Sequence, residues 1–355
     1  MNKIVIKIGS SFFINKNEIN RKNILNLIKQ ISIMQEKGIA CCLISSGAIA
    51  VGVKKMGFTS KPTDIAKKQA CAAIGQMTLM QEYEQVFNMF DLNCAQILLN
   101  HDDFGNRNRI LSLQKTINTL LQMGVIPVIN ENDALAVDEI KVGDNDTLSA
   151  MTSLVIDADM LVLVSDIDGL YTANPKEDAN ATLIKEVDKI DDTIRKMAGG
   201  AGSKYGTGGM STKIKAGEIA TSYGIDMMIV NKDKIDSLSQ VVDGVNLGTL
   251  FKGHSNLSLR SSWIKFCANV RGKIIVDQGA VGAIKNRKSL LSCGVKGVEG
   301  NFKHGEVVEI LSEDKSIIAK GIATFDNVET KKLSENKQLK NHIVVHANNI
   351  VVFED

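Results

Sequence analysis

The chain has 355 residues, more than one compact core usually holds, so two domains are expected. Hydrophobic residues make up 44% and charged residues 23%, a globular balance that excludes disordered and collagen-like chains. With 42 basic against 40 acidic residues the net charge is +2, which excludes a general electrostatic pull toward nucleic acid or membranes.

Residues 1–6 run straight into a strand pattern, with no charged leader and no apolar run of about 18 residues. A cytoplasmic protein without membrane contact is expected. The cysteines (Cys41, Cys42, Cys71, Cys94, Cys267, Cys293) make no C-x-x-C pair and mostly sit in apolar runs, which points to buried, reduced thiols. Lys3 to Ile8 is apolar and β-branched, a buried strand. Ile24, Leu27, Ile28, Ile31 and Met34 recur at helical spacing, and Gly38 stops the helix. Residues 39–44 form a second buried strand, ending in the small-residue turn Ser45-Ser46-Gly47-Ala48. Residues 64–90 are helical in composition, 94–99 a strand, 110–123 a helix stopped by Gly124, and 125–129 a buried strand.

An acidic stretch follows from Asn130 to Thr147. It holds Glu131, Asp133, Asp138 and Glu139 together with the amides Asn130 and Asn132, and closes on Gly143-Asp144-Asn145-Asp146-Thr147. Residues 148–156 read as a helix and 160–164 as a strand ending in Ser165-Asp166. A glycine cluster from 199 to 209 leads into a helix at 210–222, and 227–230 is a strand. The alternation implies a mostly parallel sheet with helices on both faces. Past a polar linker at 254–262, short β runs dominate, at 273–276, 305–311, 316–319, 342–345 and 350–353. The expected architecture is α/β, a three-layer αβα sandwich over residues 1–257, followed by a small, mostly β, barrel-like domain over 258–355.

Acidic groups and amides beyond a buried strand suit a zwitterion, since a carboxylate holds an ammonium group and an amide donates to a carboxylate. The run from Thr207 through Gly208, Gly209, Met210, Ser211 and Thr212 to Lys213 offers close backbone approach and a free helix N-terminus, both suited to phosphate. Lys7, at the end of an apolar strand, needs a partner or a ligand; Asp166 is the expected partner. Two cations, an anion cradle and a zwitterion pocket together suit transfer of a phosphoryl group onto a carboxylate. Such an acceptor is already ionised, with an unperturbed pKa of about 4.3, and needs no general base. His342 and His346 would lie about 13 Å apart on a strand, too far to share a metal ion, so no protein metal site is expected. No G-x-x-x-x-G-K-[ST] or G-x-G-x-x-G fingerprint is present, and the Asp103-Phe104-Gly105 triplet lacks the loops of a protein kinase.

These segments resemble the amino acid kinase family and, within it, the glutamate 5-kinases. The resemblance rests on V-I-K-I-G-S-S, I-S-S-G-A-I-A-V-G, P-V-I-N-E-N-D-A, K-V-G-D-N-D-T-L-S-A, S-D-I-D-G-L-Y-T-A-N-P and G-T-G-G-M-S-T-K. The C-terminal G-V-K-G-V-E-G-N-F-K-H-G-E-V-V-E-I resembles a PUA domain. The resemblance implies ATP-dependent phosphorylation of the L-glutamate side chain in proline synthesis. It assigns Lys7 and Lys213 to the transferring phosphoryl group, with Asp166 organising them. Ser46, Asp133 and Asn145 would hold glutamate, with Gly47, Asp144 and Asp146 close by. Ser165, Asp166 and 207–213 would line the ATP site, where Ser165 stands in place of the Thr frequent in relatives. It also implies Mg²⁺, inhibition by proline and a homo-oligomer, dimer or tetramer, of kinase domains. A related kinase acting on aspartate, N-acetylglutamate, carbamate or a nucleoside monophosphate is the near rival, disfavoured by N-E-N-D-A with G-D-N-D and by the second domain. RNA binding through the PUA-like domain is the rival of another class. Its basic residues (Lys285, Arg287, Lys288, Lys296, Lys303) lack interleaved aromatics or a stripe, which argues against it.

Overall fold

The computed structural model describes residues 1–15, 18–135, 145–199, 209–254, 257–336 and 341–353. The chain forms two compact units, residues 1–103 with 107–256 and residues 257–355 with 104–106.

The first unit is built on an eight-stranded sheet. Its strands are β1 (Lys3–Ile8), β2 (Ala40–Ile44), β3 (Cys94–Leu99), β4 (Ile126–Glu131), β5 (Met160–Ser165), β6 (Glu186–Val187), β7 (Asp226–Asn231) and β8 (Thr249–Phe251). They lie in the order β3-β4-β2-β1-β5-β7-β8-β6. Neighbours run parallel except β7 and β8, which pair antiparallel. The sequence pattern misses β6 and β8, because two- and three-residue strands carry no period.

Alternation along β1 decides which side chain meets which layer. Ile4, Ile6 and Ile8 join a core with the helices Arg21–Glu36 and Ile65–Asn88 and the segment Lys232–Asp243. Val5 and Lys7 therefore point to the opposite layer, where the helices Asn145–Ile156 and Met210–Tyr223 pack against each other. Every residue of the former from Asp146 to Ile156 is buried.

Two glycines set the contact between the helix Ala48–Lys55 and the helix Ile65–Asn88. A Cβ on Gly52 would stand 1.8 Å from the Cys71 carbonyl oxygen, and one on Gly75 would stand 1.8 Å from the Ala48 carbonyl oxygen. Only hydrogen fits at either place. The short helix opens at Gly47, whose φ of +95° is a left-handed conformation that glycine adopts without strain.

The second unit carries a six-stranded sheet of β9 (Val270–Val276), β10 (Leu290–Leu291), β11 (Val295–Gly300), β12 (Val307–Ser312), β13 (Ile317–Ala323) and β14 (Ile343–Val352), in the order β10-β14-β13-β12-β9-β11. Ile274, Val308, Ile310, Phe302 and Val344 are at its centre. The runs expected at 342–345 and 350–353 are one continuous strand, β14. The polar Asn348-Asn349 pair breaks the apolar pattern, and the pairing with β13 shifts register there, from Ile350 opposite Gly321 to Val345 opposite Ala323, without ending the strand. Two helices, Gln278–Lys285 and Asn327–Glu335, also interrupt the β pattern. Their caps are legible, since Asp277 accepts from Ala280 N–H and Asp326 from Glu329 N–H.

Replacing Gly75 with Ala should cost about 1–3 kcal/mol or more through overpacking. Gly282→Ala, in open helical space, should be neutral or slightly stabilising. Urea unfolding of the two variants checks this.

Candidate active site

Lys7 lies at the carboxyl end of β1, beside Ile44 of β2 and Leu163 of β5. It is 8% exposed. Its Nζ is 2.6 Å from Asp146 Oδ1, while Lys213 Nζ is 3.0 Å from Asp146 Oδ2. Asp146 is wholly buried, in the first turn of its helix, where the free N–H groups favour a carboxylate. Thr212 Oγ1 lies 2.9 Å from Asp146 Oδ2 and 2.8 Å from the Gly209 carbonyl oxygen. One buried carboxylate thus holds two ammonium groups from two different elements. Two positive charges against one negative leave a surplus of one positive charge.

Burial pushes the Asp146 carboxyl up, but the charges of Lys7 and Lys213 and their contacts outweigh it and hold it down at about 2. The folded value lies below the unfolded one. The ion pairs therefore stabilise the fold above about pH 4, and that contribution is lost as pH falls toward about 2.

The expectation that Asp166 joins the two lysines is corrected here. Leu163 pairs with Lys7 and shares its side of the sheet. Ser165, two residues on, continues that side and ends the strand, and Asp166 lies just past it. Asp166 is exposed and accepts from Ser165 Oγ at 3.2 Å. Leu148 to Ile156 has no charged residue on any face, which reads as a buried helix, but no local spacing says which partners Asp146 meets at its start.

The small polar residues form a second cluster. Asn145 Nδ2 donates to Ser46 Oγ at 2.7 Å, and also lies 3.1 Å from the Ser45 carbonyl oxygen and 3.1 Å from Asn130 Oδ1. Asn130, 1% exposed, donates from Nδ2 to Gln76 Oε1 at 2.8 Å. Asn145 Oδ1 is buried without a partner among the described residues. Asp133 lines a neighbouring cleft of about 450 Å³, together with Gln76, Gln96 and Glu131. Burial raises its carboxyl, against the lowering effect of Lys61. Gly47 forms the turn next to Ser46.

The nucleotide-side residues lie where β5 and the helix Met210–Tyr223 present their ends. Ser165 closes β5. Gly209 is the N-cap residue, without a side-chain cap, and Met210, Ser211 and Thr212 form the first turn. The helix thus keeps its first N–H groups for an anion. Asp144, Thr207 and Gly208 lie outside the described residues, as do Asp138 and Glu139. Gln76 and Asn130 complete the polar cluster. Gln76 was missed because a lone glutamine in a long helix carries no local signal.

Asp146→Asn should cost about 3–5 kcal/mol, because it leaves two buried lysines uncompensated. Asp166→Asn, at an exposed position, should stay within about 0.5 kcal/mol. Thermal unfolding at neutral pH separates the two, and the wild-type advantage over Asp146→Asn should shrink below about pH 4.

Comparison with known proteins gives the family and the fold. Residues 2–231 match the amino acid kinase family, and residues 272–345 match the PUA domain. The glutamate 5-kinase of Caldanaerobacter subterraneus is 40% identical over 99% of this chain and 98% of its own. That of Carboxydothermus hydrogenoformans is 42% identical over 91% and 87%. Among solved structures, a carbamate kinase from Giardia lamblia bound to AMP-PNP is 15% identical, covers 71% of this chain and 99% of its own, and superposes with a TM-score of 0.51. An isopentenyl phosphate kinase is 16% identical, covers 71% and 100%, and gives 0.50. These two share the fold of the first unit. With a family match over residues 2–231 and relatives near 40% identical along nearly the whole length, the chain belongs to the amino acid kinase family.

Proposed function

We propose that this kinase moves the γ-phosphoryl group of ATP onto the side-chain carboxylate of L-glutamate, forming L-glutamyl 5-phosphate in the first step of proline synthesis. The observation that carries the reading is Asp146 held between Lys7 and Lys213. Phosphoryl transfer to a carboxylate brings two anions together and spreads charge over the equatorial oxygens in transit. The obstacle is repulsion, and fixed cations lower it without reorganising. Asp146 keeps the two ammonium groups in place while cancelling only one of their charges. The acceptor oxygen attacks the γ-phosphorus as the bond to the bridging oxygen of ADP breaks. No proton has to leave the acceptor.

Ser46, Gly47, Asp133 and Asn145 are assigned to glutamate, with Asp144 and Asp146 beside them. Ser165, Asp166 and residues 207–213 are assigned to ATP. The Ser46 hydroxyl and the Asn145 amide offer the mixture of donor and acceptor that a zwitterion needs. Every assigned residue lies within 1–257, so catalysis is assigned to that domain. Inhibition by proline at or overlapping the glutamate site, a homo-oligomer of kinase domains and a cytoplasmic location belong to the same reading and follow from the resemblance. No helix among the described residues is long and apolar enough to cross a membrane.

The family resemblance also implies Mg²⁺. Among the described residues no group of three His, Cys, Asp or Glu side chains could hold a metal ion. Asp146 has both oxygens engaged by lysines. With both Asp146 oxygens taken, the ion would arrive on the nucleotide, and its charge would help to neutralise the phosphates beside Lys7 and Lys213.

Hydroxylamine trapping with ATP and Mg²⁺ should give hydroxamate with L-glutamate and not with L-aspartate or N-acetyl-L-glutamate, and UMP should not be phosphorylated. Lys213→Ala should lower kcat by about a hundredfold or more and change the glutamate KM only a few-fold, because its contact is made mainly in the transition state. An unchanged kcat contradicts the role given to Lys213.

A further inference from the structure

The helix Ile65–Asn88 sends one polar side chain inward beside the acceptor cleft. Gln76 is 8% exposed, lines the cleft, and follows Gly75, whose close approach to the Ala48 carbonyl fixes its height against the turn at Ser46 and Gly47. Its Oε1 accepts from Asn130 Nδ2 at 2.8 Å. That contact holds Asn130 in the orientation that the Glu131 N–H also favours, as the Ser45 carbonyl does for Asn145. Asn130 Oδ1 is turned toward Asn145 Nδ2, at 3.1 Å, and also accepts from the Glu131 N–H at 2.9 Å. Asn145 Nδ2 in turn donates to Ser46 Oγ at 2.7 Å.

The direction of this relay has a chemical result. Ser46 accepts from Asn145, so its own hydroxyl hydrogen is left to donate. Asn145 spends its amide hydrogens on the protein, so its Oδ1 is left as an acceptor, buried and without a partner among the described residues. One donor and one acceptor stand side by side, suited to the carboxylate and ammonium of an amino-acid acceptor. Gln76 Nε2 is also buried without a partner among the described residues. An orphan amide costs stability, and a glutamine kept only for the fold gives no return for it.

On the reading that the acceptor is L-glutamate, we propose that Gln76 is a positioning residue for that acceptor. It acts through Asn130 and Asn145 to set Ser46 as the donor and Asn145 Oδ1 as the acceptor. It does not touch the phosphoryl group, and the nucleotide side is independent of it.

The test uses the full chain and the hydroxylamine assay, with Gln76→Met, which keeps bulk and removes the accepting oxygen. The expected result is a rise of about tenfold or more in the L-glutamate KM, with the ATP KM within about twofold. Gln76→Glu keeps an oxygen for Asn130 and should recover part of the loss. In a Ser46→Ala background the Met substitution should add less than it does in the wild type, since the Ser46 arm is already gone and only the Asn145 Oδ1 arm is left to lose. If Gln76→Met does not fold, Gln76→Ala is read in the same way. Parallel changes in both KM values, or full additivity with Ser46→Ala, overturn the proposal. A wild-type enzyme active on L-glutamate with an unchanged KM in Gln76→Met removes only the role of Gln76. A wild type that forms no hydroxamate with L-glutamate removes the acceptor assignment itself.

Discussion

A buried carboxylate shared by two lysines is the constraint on which the first domain turns. Asp146 is fully buried, and Lys7 and Lys213 are nearly so. None of the three is tolerable there alone, because an unpaired charge in a low-dielectric interior is costly. Together they tie the end of β1 to the first turns of two helices from distant parts of the chain. The lost solvation of one more cation than anion is what the site keeps for a ligand. A phosphate-bearing substrate supplies the missing negative charge, so binding and catalysis draw on the same imbalance.

The backbone delivers these charges by simple periodicities. Strand alternation puts Ile4, Ile6 and Ile8 against one helical layer and Lys7 against the other. Parallel strands bring the ends of β1, β2, β4 and β5 to one edge of the sheet, where ligands bind in folds of this kind. The polar cluster stands on a different footing. It depends on the close helix contact at Gly52 and Gly75, which sets Gln76 and the Ser46 turn at matching heights.

Much of this was legible in the residues. The alternation of apolar strands and helical spacings gives the parallel sheet, and Lys7 in an apolar run announces a functional cation. The glycine run before Met210 announces an anion site. The identity of the carboxylate between the lysines was not read correctly. Asp166 follows the end of β5, the strand beside β1, so the pattern brings it near Lys7, but it lies exposed just past the strand. Asp146 reaches the same place through helix packing, which no local spacing encodes. Gln76 is hidden for the same reason, since its contact with Asn130, itself legible as an amide of the acidic stretch, spans two elements. In the second domain, β11 combines two glycines with two charges, a composition that reads as loop, and its pairing with β9 comes from tertiary context.

The account rests on a carboxylate oxygen attacking phosphorus without help from a base. The most direct measurement uses L-glutamate labelled with ¹⁸O in its side-chain carboxylate, turned over with ATP and Mg²⁺ and trapped with hydroxylamine. Hydroxylamine attacks the carbonyl carbon, so the oxygen that joined the phosphorus leaves with the phosphate. The account predicts one ¹⁸O in each phosphate released, seen as an isotope shift by ³¹P NMR. Phosphate released during turnover without the label would contradict it, because the phosphoryl group would then have gone to water.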